Sequence, residues 1–186
     1  MQDWDRDREA AWPEFEARLG ASLGSLPPDG YLVLEVHARA GHVGSGGPGG
    51  RGAVGCPGGV PFVQFAREGS SLLAEAAGNR HLTGELQLDP GREATLAAMG
   101  WEPPSPGVAH RCNWSHRWRG RVPFAMVAAL AVRTLRGVYG AVTAAEIRYA
   151  RFARDGRAMP DPALGVDGID GSGASGWAAY PTRHLH

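Results

Sequence analysis

At 186 residues, 43% of them apolar, the chain has room for one ordinary domain with a real core, plus a tail. Its 19 basic and 19 acidic residues cancel, which argues against a general nucleic-acid or anionic-membrane binder, since either would need a basic excess. Two cysteines make no disulfide framework, no apolar run approaches the roughly 20 residues of a membrane span, and the charged start MQDWDRDREAAW is no signal peptide. The chain therefore reads as soluble and cytoplasmic. Every basic residue is Arg, a skew that fits the coding bias of a GC-rich genome better than a functional choice.

In chain order, Trp4, Arg8, Ala11, Trp12, Phe15, Leu19 and Leu23 recur at spacings of three and four and predict an amphipathic helix from about Asp3 to Leu23. Pro13 inside that pattern costs about 3 kcal/mol, so a helix starting at Trp12, with Pro13 in its first turn, is an alternative. A core-facing stripe is the favoured reading of its aromatics, with a partner-binding face as the second. Tyr31–His37 alternates as a half-buried strand. Residues 38–59 are a Gly-rich connection without the Lys-containing pattern of a phosphate loop. The stretch from Val60 to Trp101 then organises the rest. It holds strands at Val60–Ala66 and Leu72–Ala76, a turn at Gly78-Asn79, and a strand or extended arm over His81–Leu88. A short helix follows from Pro90 to Met99, capped by Asp89 and stopped at Gly100.

Val108 to Trp118 alternates strictly, with Val108, His110, Cys112, Trp114, His116 and Trp118 on one face and an Arg-rich polar face opposite. The most apolar helix spans about Val122 to Tyr139, and its Ala125, Ala128, Ala129 and Ala131 permit close helix approach. Residues 143–154 hold one short further element. From Asp155 to the end, Gly, Asp, Pro, Ala and Ser predominate and predict a disordered tail in which only Trp177 and Tyr180 stand out. The domain itself is placed at residues 1–142.

The candidates for chemistry are few. His110, Cys112 and His116 share a strand face and form a conceivable zinc set, with His42 or Cys56 as a fourth ligand, but no C-x-x-C or H-E-x-x-H accompanies them. A cysteine nucleophile using the same residues lacks a local signature. The cluster Arg117–Arg121 lies on the face opposite Trp114 and Trp118, so one surface does not present both for stacking on nucleic acid. No catalytic residue and no cofactor is expected.

Several phrases together resemble the TY-Chap family, small bacterial domains related to type III secretion chaperones and YbjN-like proteins, here of the N-terminal type. They are Trp12-x-x-Phe15-x-x-x-Leu19, Phe62-Val63-Gln64-Phe65-Ala66, Leu73-x-Glu75, Asn79-x-x-Leu82, Met99-Gly100-Trp101-x-x-Pro104, Asn113-Trp114 and Leu135-Arg136-x-Val138-Tyr139-Gly140. The resemblance covers about residues 4–140. It implies an α+β fold: a helix, an antiparallel meander, a second helix, further strand and a long final helix. It also implies a non-enzymatic chaperone-like or adaptor domain that binds a protein or peptide client as a homodimer. The candidate protein-binding residues are Trp4, Trp12 and Phe15 on the first helix and Phe124, Val127 and Leu135 on the last. The alternative is a small zinc protein or metal-dependent enzyme built on His110, Cys112 and His116.

Overall fold

The computed structural model describes residues 3–37, 59–105 and 112–169, with side chains described from Ala11 onward in the first helix. The elements are α1 (Asp3–Gly24), β1 (Tyr31–Val36), β2 (Phe62–Glu68), β3 (Ser71–Ala76), α2 (Pro90–Ala98), β4 (Trp114–Trp118), α3 (Phe124–Gly137), β5 (Ile147–Phe152) and β6 (Asp167–Gly168), with three short 3-10 turns. The α+β class is as the sequence predicts. The six strands form one sheet in the order β4-β3-β2-β1-β5-β6, antiparallel except for the last pair.

The register explains which residues are buried. Paired residues share a face, so Leu32 and Leu34 align with Val63, Phe65, Leu72, Ala74 and Trp114. This row is buried with the inward residues of α1 and α3. The two helices run antiparallel, because Gly20 and Gly24 meet Phe124, Ala125 and Ala128 while Trp12 meets Arg136. A Cβ on Gly20 would stand 3.7 Å from the Ala125 Cα, so the small residues of both helices set the close crossing. Pro13 is interior to α1, which begins at Asp3 rather than at Trp12. The burial of Trp12, Phe15, Leu19 and Leu23 along one stripe supplies more than the proline removes.

Local chemistry fixes the connections. The Asp89 side chain accepts from the Arg92 amide with Pro90 in the first turn, and Gly100 ends α2 at φ +94, which an L side chain resists. His81–Leu88 is not a strand. Gly84–Leu86 is a 3-10 turn, and the Asn79 amide takes the place of a strand neighbour, accepting from Leu88 N at 2.6 Å and donating to Leu88 O at 2.9 Å.

The sequence places the domain end near residue 142, but β5 pairs along the whole of β1 and contributes Ile147, Tyr149, Ala150 and Phe152 to the core. Residues 155–169, expected to begin a disordered tail, pack on α1 and β5, where Leu164 is fully buried. Two anchored side chains there outweigh a low apolar content. Residues 170–186, with Trp177 and Tyr180, lie outside the described residues, as does the Gly-rich connection from 38 to 58. The Val108–Trp118 strand is seen as β4 from Trp114; residues 106–111 are likewise outside. No described helix is long and apolar enough to cross a membrane.

Candidate functional site

Beside their close crossing α1 and α3 leave an open groove of about 560 Å³. Its floor is Trp12 and Val132, both nearly inaccessible, and its walls are small: Ala17, Gly20 and Ala21 on α1, Ala125 on α3. The crossing that the small residues permit is therefore also what keeps the groove free of bulk. Charge sits at the rim. Glu16 stands on the α1 side, and the Arg136 guanidinium lies over the Trp12 ring at 5.3 Å, the geometry of a cation–π contact. Such a surface has no nucleophile and no acid–base pair. It can take apolar side chains and orient a polar backbone beside them.

The sheet edges are less open than a β-augmentation site needs. Glu102 exchanges both backbone hydrogen bonds with Ser115 on the outer side of β4, at 2.7 and 2.9 Å. On the other side, β5 is covered by residues 157–159 and by β6.

The candidates separate accordingly. Trp12, Phe15, Val127 and Leu135 are core residues, each 3% exposed or less. Among them only Trp12 reaches the groove, as its floor. Phe124 is half-buried against Gly24 and under Arg67, and the side chain of Trp4 lies outside the described residues. Residue spacing could not find the groove, because its walls are Ala and Gly, which carry little periodic signal. Met126, 69% exposed on α3, was likewise given no role by the sequence pattern.

The zinc set is not brought together among the described residues, where no group of three or more His, Cys, Asp or Glu could hold a metal. His116 donates from Nδ1 to the Gly100 carbonyl at 2.7 Å and packs on Trp118. Cys112 Sγ instead meets His81 Nε2 at 2.9 Å, a contact that sequence spacing did not reveal. His110, His42 and Cys56 lie outside the described residues. Arg117, in the basic cluster, is paired with Glu68.

His81 has a consequence for stability. Burial holds its imidazole below the ordinary value of 6.5, and the Arg80 charge acts in the same direction. Below pH 6.5 the unfolded chain gains a proton that folded His81 resists, so stability falls as pH drops through that value toward the lower folded one. The urea midpoint is expected to fall between pH 7.5 and 5.5, and less so in His81→Gln. An equal fall in both proteins would remove His81 as the cause.

Among the described residues the chain is a small α+β domain with two helices over one face of a six-stranded sheet and an apolar groove between them. Residues 5–153 match the family described as T3SS (YopN, CesT) and YbjN peptide-binding chaperone 3, TY-Chap3. The chain belongs to that family. No curated protein and no solved structure matches it.

Proposed function

We propose that the chain is a non-enzymatic, chaperone-like domain that holds a peptide segment of a client protein in the groove between α1 and α3. The observation that carries this reading is the groove itself, apolar at Trp12 and Val132, walled by small residues and rimmed by Glu16 and Arg136. Membership of a peptide-binding chaperone family supports it. Trp12 takes part as the floor. The homodimeric state belongs to the same proposal, and the exposure of Met126 on α3 supports it. A cytoplasmic setting is proposed with it.

The test fills the groove from its wall. Ala21 is exposed, so Ala21→Trp is expected to change stability by no more than about 0.5 kcal/mol. Peptides selected from a displayed library on the wild-type chain are expected to bind that variant about tenfold or more weakly. Unchanged binding by a folded Ala21→Trp would place the client elsewhere.

A further inference from the structure

β1 is buried at four consecutive positions, Leu32 to Glu35, the pattern of a strand covered on both faces rather than on one. The helices account for one of those faces. Arg67 and Arg151, which share a face with Leu32, donate to the Gly24, Leu26 and Ser25 carbonyls around the end of α1, and Arg67 lies over Phe124 of α3. His116, on the same side, meets the Gly100 carbonyl that follows α2. The register puts Tyr31, Val33, Glu35, Gln64, Ala150 and Phe152 on the other face. Val33 is 4% exposed, Ala150 6% and Phe152 3%, which are the values of a core and not of a wetted sheet surface. Among the described residues, His81 closes one end of this face, its ring edge-on to Phe62 at 5.7 Å, and no helix or strand lies over Val33 and Ala150.

The described chain ends where a cover for this face would start. β6 runs parallel to β5 with Gly168 opposite Tyr149, and the Ile169 amide donates to Tyr149 O at 2.7 Å. Ile169 therefore stands at the outer edge of the sheet, level with Ala150. From Ile169 to Trp177 is eight residues, a reach of up to about 26 Å when extended, against about 10 Å for the two strand spacings from β5 to β2.

We propose that the second face of the sheet is the docking surface for residues 170–186, which cross it as a strap and seat Trp177 and Tyr180 over Val33, Ala150 and Phe152. The chemistry of the two partners matches. Indole and phenol rings are the large apolar groups that such a surface needs, and each carries one polar hydrogen that wants an acceptor. Glu35 and Gln64, on the same face as Val33, present carboxylate and amide oxygens. The other stretches outside the described residues lack this payload. The largest aliphatic side chains of residues 38–58 are Val43 and Val54, and residues 106–111 hold only Val108. The strap lies on the side of the sheet away from the helices, so it leaves the α1–α3 groove free for a client.

The test is methyl NMR on the full chain, because an aromatic ring shifts the resonance of a methyl group beneath it. Trp177→Ala is expected to move the Val33 and Ala150 methyl resonances while those of Ala21 and Ala125 in the groove stay in place. In the wild-type chain, nuclear Overhauser contacts between the Trp177 ring and the Val33 and Ala150 methyls are expected at every protein concentration. Val33 and Ala150 resonances that ignore the loss of Trp177 overturn the proposal. Contacts that appear only between differently labelled copies in a mixed sample overturn it in favour of a second copy on this face. Should Trp177→Ala not fold, Trp177→Phe keeps a ring in place and should still move the same two methyls. Their silence in that variant would likewise overturn the proposal.

Discussion

Trp12→Ala is expected to lower the unfolding free energy by about 3–5 kcal/mol, the range for removing a buried large aromatic. A domain holds about 5–15 kcal/mol in all, so the variant should sit near the edge of folding. The size follows from what the indole does. Its ring is 2% exposed, meets Phe15 edge-on at 5.9 Å, and carries the Arg136 guanidinium on its face. Its Nε1 donates to Val142 O at 3.3 Å, tying α1 to the turn after α3. Trp12→Phe keeps much of the volume and should cost less. The loss should appear in urea melts with no peptide present, which separates a core role from a purely client-binding one. A cost below about 1 kcal/mol would make Trp12 a groove wall only.

The second large effect is expected at Arg151. Arg151→Ala leaves the Asp161 carboxylate buried with Ser22 as its remaining side-chain partner, and breaking a buried pair on one side costs about 3–5 kcal/mol. Replacing both, as Arg151→Met with Asp161→Leu, removes the stranded charge together with its partner. The double variant is expected to recover most of the loss, because an apolar pair of similar volume often matches a buried ion pair. Equilibrium unfolding of the two single variants and the double one measures the coupling directly. Additive losses would mean that Arg151 and Asp161 do not act as a pair.

The elements with a strong period were legible. The Tyr31–Val36 strand was legible, although as a central strand it buries Val33 and Glu35 as well as Leu32 and Leu34 and is not half-buried; the leucines of α1 fall on one stripe, and Asp89-Pro90 with Gly100 brackets α2 to within a residue. The misreadings share a cause, which is polar residues placed where apolar ones are expected. Arg151 sits on the same face of β5 as Ile147 and Tyr149, so the strand lost its alternation although it runs the length of β1. Asp161 likewise gives 155–169 the composition of a tail while anchoring it to α1. Over His81–Leu88, Leu82 and Leu88 are buried but Leu86 is 41% exposed, because the Asn79 amide rather than a strand ladder closes that loop. The candidate site was legible only at its floor. Trp12 announced itself, whereas Ala17, Gly20, Ala21 and Ala125 function through the bulk they lack, and that shows only once the two helices are side by side.

The central claim is that a client segment lies between α1 and α3. Its most direct test is amide chemical-shift mapping of the wild-type chain titrated with a selected peptide. The expected result is a continuous set of perturbations along Ala17, Gly20 and Ala21 on α1 and Ala125 and Arg136 on α3, with β3 and β4 unmoved. Perturbations centred on β3 and β4, with the two helices silent, would contradict it.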